Sequence, residues 1–384
     1  MKSKLFTTLV VGISMLSIAD IANALTWSNQ TASTVTAINI GTLGGPSSYG
    51  RGINNAGLVT GLSYTADGFA RAFVTTPSGT MTDLGTLGGS FSNGSGINNS
   101  GQVTGSSPTA GGSTAHAFVT TPSGTMTDVG TLGGSASYVS YGNGINEAGQ
   151  VTGYVQTGIS LYRAFVTTLT GTMTDLGTLG GTRSYGNGIN EAGQVTGYST
   201  AANGFYHAFV TTSSSTMTDL GTLGGNESFG NGINDAGQVT GSSYTASDGQ
   251  HAFITNTNGD MTDLGTFGGS SVSLGGSFSS GYGINNAGQV TGNSYTTDNK
   301  FHAFLWENGT MYDLNSFVNL GSSNEYLNNA YAINDFSQIV AQSSLGKTYV
   351  LTPSAVPIPG AVWLLGSGLA GLAGLRRKKK SAVA

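Results

Sequence analysis

The sequence has no cysteine, which excludes a disulfide framework, a thiolate metal site and a catalytic thiol. Charge is scarce too: 8% of residues are Asp, Glu, Lys or Arg, against about 25% in ordinary domains. Thirteen Lys and Arg in 384 residues cannot build the basic stripe that a nucleic-acid binder needs. Long helices are argued against by composition, because Gly, Ser, Thr and Asn dominate the chain and favour strands and turns. Glycine fills much of the space, at 63 residues, about twice its ordinary share.

Both ends read as addresses rather than fold. In residues 1–24, Lys2 and Lys4 precede an apolar run from Leu5 to Ile18, and Ala22-Asn23-Ala24 is a small-x-small cleavage site. That is the pattern of a secretory signal peptide. At the other end, Val356-Pro357-Ile358-Pro359 opens an apolar segment that runs to Leu375 and stops at Arg376-Arg377-Lys378-Lys379-Lys380. As a helix, Ile358 to Leu375 would span roughly 27 Å, just short of the ~30 Å hydrocarbon core. The basic cluster would hold the C-terminus in the cytoplasm. Proline motif, marginal span and basic stop together resemble the PEP-CTERM sorting signal that an exosortase reads in Gram-negative bacteria. Here the third motif position is apolar where many members carry Glu. The resemblance covers 356–380, leaving 381–384 as a short tail. It implies processing by signal peptidase and exosortase, transient inner-membrane anchoring, and delivery to the cell surface or a biofilm exopolysaccharide matrix. An ordinary C-terminal membrane anchor is the other reading. Between the ends, residues 25–355 carry six basic and seventeen acidic residues, a net charge near −11, which repels nucleic acid and anionic lipid.

A repeat dominates the segment 25–355. Gly-Ile-Asn starts at Gly52, Gly96, Gly144, Gly188, Gly232 and Gly283, and Ala332-Ile333-Asn334 is a degraded seventh copy. A clean unit runs Tyr185 to Gly197, then His207-Ala208-Phe209-Val210-Thr211-Thr212, then Met217 to Gly225. This resembles the HAF family of bacterial extracellular repeats, named for its His-Ala-Phe tripeptide. Arg71 and Arg163 replace the His in two units, and Lys347-Thr348-Tyr349 stands in the last. Each unit holds four strand-like runs, with an Asn-x-(Ala/Ser)-Gly hairpin turn between the first two. Four antiparallel strands in about 44 residues is the scale of a propeller blade. The last unit lacks a fourth strand, whereas Val35 to Gly45 looks like an orphan fourth strand before the first unit. The expected fold is therefore all-β, a seven-bladed propeller closed by its N-terminal strand. An open β-solenoid is the alternative.

In a propeller the loops from fourth to first strand and from second to third share one face. Those loops vary in length or content here, and variable loops on a rigid frame commonly carry binding residues. The candidate ligand face is Arg51, Asp67, Tyr141, Arg183, Tyr185, Glu227, Asp248, Tyr282, Asp298 and Lys300. His116, His207, His251 and His302 sit one per blade and cannot converge on a metal, so a structural hydrogen bond is expected. Asp83, Asp128, Asp175, Asp219, Asp263 and Asp313 likewise recur once per blade, as turn residues bonded to backbone amides. A weak calcium role is the one metal reading left, with no EF-hand loop to carry it. No catalytic constellation and no cofactor motif is present.

Two functions fit. One is a non-enzymatic surface or matrix protein whose propeller face holds a glycan or protein. The other is a secreted carbohydrate-active enzyme, a glycosidase or lyase, which would need Asp67, Asp248 and Asp298 to meet at the channel mouth.

Overall fold

The computed structural model describes residues 27, 30–31 and 34–354, apart from 77, 113, 135–137, 213–214, 248, 272–275 and 323. Both terminal segments, 1–24 and 356–380, lie outside the described residues. Among the described residues no helix is long and apolar enough to cross a membrane. The chain divides into two units, 31–352 and a second made of 1–30 with 353–384. In the second, the Gln30 side-chain amide donates to the Ser354 carbonyl at 3.0 Å.

The unit 31–352 is a seven-bladed β-propeller of four-stranded antiparallel blades. We letter the strands A to D from the axis outward. In blade 4 they are Gly180–Ile189, Val195–Ala201, Tyr206–Thr211 and Met217–Asp219. Blades 1, 2, 3, 5 and 6 span 44–83, 93–130, 140–175, 224–263 and 279–313. Blade 7 takes Leu327–Ile333, Ile339–Ser343 and Thr348–Pro353 from the end of the array, and Val35–Asn39 as its strand D. The orphan N-terminal strand thus closes the ring as expected, and leaves the edge of Thr348–Pro353 paired.

The His-Ala-Phe tripeptide has a packing logic. Alternate residues on a strand point to opposite faces, so Ala and Phe serve different neighbours. Phe209 of blade 4 is fully buried and packs on Val195 and on Ala164 of blade 3. Phe253 of blade 5 meets Ala208 of blade 4 in the same way. Each Ala is small so that the next blade's Phe can fill the space above it. At the seam Phe73 packs against Val340 and Val350 of blade 7, with Ile40 from the clasp. One glycine of strand B is needed for close approach: a Cβ on Gly197 would lie 1.9 Å from the Tyr185 carbonyl oxygen. Gly193 supplies the left-handed residue of the A–B turn, at φ 75°.

His, Arg and Asp in the repeat form one structural device. His207 Nδ1 donates to Asp219 at 2.8 Å, while the other oxygen of Asp219 accepts the Gly221 N–H at 2.7 Å. His116, His251 and His302 pair with Asp128, Asp263 and Asp313 in the same way. Arg71 and Arg163 reach Asp83 and Asp175 at 3.8 and 3.7 Å, which explains why Arg can stand in for His. Each pair joins strand C to strand D.

Candidate functional site

The A–B and C–D turns lie on one face, here called lower. The D-to-A and B–C connections lie on the other, called upper. Across the upper face Arg183 Nε, on the extended start of strand A in blade 4, donates to the Ser160 carbonyl in the B–C turn of blade 3 at 2.8 Å.

The lower face carries two closed rings. The Asn opening each A–B turn donates its amide to the backbone carbonyl of the next blade's Asn. The chain runs Asn54, Asn98, Asn146, Asn190, Asn234, Asn285, Asn334 and back to Asn54, at 2.9–3.2 Å. One residue on, side chains accept backbone N–H groups around a second circuit. That circuit contains Glu147, Glu191, Asp235 and Asp335 together with Asn55, Asn99 and Asn286. Burial, and then the charges of Glu147 and Asp235, raise the Glu191 carboxyl against the lowering effect of its bond from the Glu147 amide. Seven isoleucines, Ile53, Ile97, Ile145, Ile189, Ile233, Ile284 and Ile333, line both axial hollows and so mark the boundary between a lower and an upper vestibule.

The upper face is uneven. Over blades 3 to 5 an aromatic belt links Tyr141, Tyr154, Tyr162, Tyr185, Tyr198, Tyr206 and Phe229. Within blades, Tyr141 stacks on Tyr154 at 4.9 Å between ring centres, and Tyr185 on Tyr198 at 4.8 Å. Between blades, Tyr185 meets Tyr154 at 5.0 Å and Tyr162 at 5.7 Å, and Tyr198 meets Phe229 at 5.2 Å. The stacks follow from register, because Tyr141 pairs with Tyr154 and Tyr185 with Tyr198 across strands A and B. All seven rings are half-buried, so they also present surface to solvent. Arg183 bonds the Tyr206 hydroxyl. Burial, then the neighbouring phenols, push the Tyr154 and Tyr185 hydroxyls well above the ordinary tyrosine value, so they stay protonated donors. Beside the belt lies a cleft of about 440 Å³ lined by Phe205, Asn226, Glu227 and Tyr244 among others. Glu227 also accepts from the Tyr206 amide at 3.4 Å.

Of the sequence candidates, Tyr141, Arg183, Tyr185 and Glu227 are brought together here. All four lie on strand A rather than on loops. Arg51 and Tyr282 also belong to strand A, but they line the axial hollow. Asp298 and Lys300 pair at 2.9 Å on the B–C turn of blade 6. Bonds from Thr296 and Lys300 hold the Asp298 carboxyl down at about 2. Asp67 is exposed on the B–C turn of blade 1, and Asp248 lies outside the described residues. Sequence reasoning missed Tyr154, Tyr162, Tyr198 and Tyr206. Their signal was tyrosine at matched repeat columns in consecutive units. Among the described residues no group of three or more His, Asp or Glu is placed to hold a metal ion.

No protein-family model matches the chain, and no curated protein matches it. Among solved structures it is similar to a puromycin hydrolase S511A mutant complexed with PGG, at 12% identity and TM-score 0.50 over 82% of this chain and 55% of that one. A puromycin-hydrolyzing peptidase of Mycobacterium tuberculosis matches at 10% identity and TM-score 0.50, over 84% and 56% of the two chains. The BP39L lectin of Burkholderia pseudomallei is similar over 86% of this chain and 99% of its own, at 9% identity and TM-score 0.47. This chain therefore spans about half the length of the two puromycin-hydrolysing proteins, and at such identities the likeness is one of fold.

Proposed function

We propose that this chain is an exported, non-enzymatic binding module that holds a glycan on the upper face of blades 3 to 5. The aromatic belt is the observation that carries the reading. Tyrosine offers large, rigid, amphipathic contact area at low entropic cost. Its ring face suits the C–H face of a pyranose, and its hydroxyl suits the sugar's hydroxyls. Arg183, Glu227 and Asn226 supply polar groups at the edge of the same surface. The small number of polar groups beside apolar rings is the usual make-up of a ligand site.

Export rests on the signal-like residues 1–24. Sorting rests on the resemblance of 356–380 to PEP-CTERM signals, with Val356, Pro357, Ile358 and Pro359 as the cleavage motif and Arg376, Arg377 and Lys378 in the basic stop. On this reading a signal peptidase and an exosortase are the processing partners, and the mature HAF-repeat propeller works at the cell surface or in exopolysaccharide. The purified chain on an array of neutral and acidic glycans is expected to retain a defined subset of chains and to release no sugar. Release of reducing sugar above the buffer rate would overturn the binding-only reading. A blank array would overturn the glycan.

A further inference from the structure

A second site is written in one column of the repeat. In every blade, strand A has a β-bulge immediately before Gly-Ile or its equivalent. A bulge re-aims one side chain. Around the ring the bulged residues are Arg51, Ser95, Asn143, Asn187, Asn231, Tyr282 and Tyr331, of which Arg51, Ser95, Tyr282 and Tyr331 line the upper vestibule above the isoleucines. In blades 3, 4 and 5 the Asn amide donates to a glycine carbonyl of the next blade at 2.7–2.8 Å. Blades 6, 7, 1 and 2, which are consecutive across the seam, have no Asn to make that link, and blade 2 carries only Ser95 there. Blades 6, 7 and 1 put two phenols and a guanidinium into the hollow instead. The seam itself does not require this, because the clasp strand is outermost and the lower Asn ring passes through blades 7 and 1 intact. The rule thus lapses at four adjacent positions, and at three of them the replacement is a large side chain with a polar tip at the axis, the kind of local exception that marks function.

The electrostatics say what kind of function. The propeller has six basic side chains. Four of them meet carboxylates: Arg71, Arg163, Lys300 and Lys347. Arg183 bonds Ser160 and Tyr206. Arg51 is exposed and has neither a carboxylate nor a hydrogen-bond acceptor among the described residues. It rests on the Tyr331 ring, 4.5 Å from the ring centre, and Tyr331 in turn lies 5.5 Å from Tyr282. That platform holds the guanidinium plane while leaving its N–H fork unused. Burial, then Tyr331, push the Tyr282 hydroxyl up to about 12, so it remains a donor at neutral pH. The hollow measures about 240 Å³, below the usual range for drug-sized ligands, which suits one small group rather than a chain.

We propose that the upper axial vestibule takes a single carboxylate, held by the fork of Arg51 with Tyr282 and Tyr331 beside it. The acidic ring on the far side of the isoleucines makes the lower mouth unfavourable to anions, so the carboxylate enters from the upper face. It belongs either to a small free acid or to a uronate at the end of a glycan. The site is distinct from the aromatic belt and does not depend on it.

Calorimetry on the purified protein with D-glucuronate, an oligoglucuronate and D-glucose tests this. Binding of either acidic probe is expected to be salt-sensitive and to weaken about tenfold or more in Arg51→Gln, since a charge-assisted bidentate contact is lost. Tightest binding by the free monomer would identify a small acid as the source, and tightest binding by the oligomer a glycan end. Ser95→Asp keeps Arg51 and gives it an internal carboxylate in the neighbouring blade, so it should cut binding to a similar extent. That second variant keeps the test open if Arg51→Gln folds poorly. Tyr185→Ala, in the belt, should leave glucuronate binding unchanged. Failure of both acids to bind, equal binding of glucose, or full affinity in Arg51→Gln would each overturn the site.

Discussion

On the lower face the Asn that opens the A–B turn hands its amide to the next blade seven times, without a gap. On the upper face the paired positions of strands A and B hold Tyr and Leu in blade 1, Asn and Ser in blade 2, and two tyrosines each in blades 3 and 4. Phe and Ser, Ser and Asn, and Asn and Gln follow in blades 5, 6 and 7. The two faces are built from the same strands, five residues apart. The difference is that the lower Asn makes a contact on which its neighbour depends, so one lapse breaks a circuit. The upper pair makes inter-blade bonds only in places, such as Asn293 to Asn329 and Gln342 to the Ser48 carbonyl, and these form no closed circuit, so its residues are free to differ blade by blade. Where they differ in a run, over blades 3 to 5, they make a surface the fold does not require.

The comparison breaks most violently at the seam. Deleting 35–40 would remove both strand D of blade 7 and Ile40 from the core around Phe73 and Val350. It would expose the edge of Thr348–Pro353, and loss of a cooperative melting transition is expected in circular dichroism. If the truncated chain melts as sharply as the parent, closure does not depend on the clasp.

A smaller effect separates the faces directly. Asn190→Ala removes, from a buried side chain, the acceptor for the Gln194 backbone N–H and the donor to the Asn234 carbonyl. It should cost about 1–3 kcal/mol in denaturant unfolding, the toll of stranded buried groups. Tyr198→Ala on the upper face should cost less than such a lesion, since Tyr198 keeps solvent contact. Equal losses would mean that the belt is core rather than surface.

Acid probes the same frame more gently. The Glu325 carboxylate is buried and receives Lys347, Ser343 and Tyr349. Burial raises its pKa, but those three bonds outweigh it and the carboxyl lies below its ordinary value. A carboxyl depressed in the folded state stabilises above its unfolded pKa of ~4.3 and loses that contribution as pH falls through the folded value. Glu325→Gln should therefore melt below the parent at pH 7, and the gap should close below about pH 4. A gap that persists in acid would assign the loss to shape rather than charge.

Much of this frame is legible without coordinates. Repeat period, hairpin turns and a missing strand matched by an orphan one together specify a ring, because each is a local pattern whose partner is a copy of itself. His207 and Asp219 are legible as structural for the same reason. The binding surfaces are not, since they depend on which columns face outward. Reasoning from loop variability found Tyr141, Arg183, Tyr185 and Glu227, all of them strand residues, yet missed their partners Tyr154 and Tyr198, whose exposure follows from register at the blade's upper end. Arg51 looks like a loop-face residue until the bulge turns it to the axis beside Tyr331, a neighbour that only closure supplies.

The most direct test sets Tyr185→Ala against Tyr49→Ala, the same strand position in blade 1, on one array of glycans. Tyr49 lies outside the belt, so its variant should keep the parent's binding profile, while Tyr185→Ala should lose about tenfold or more of its signal, as truncation of a central aromatic anchor does. Equal loss from both variants, or none from Tyr185→Ala, would contradict a binding surface confined to blades 3 to 5.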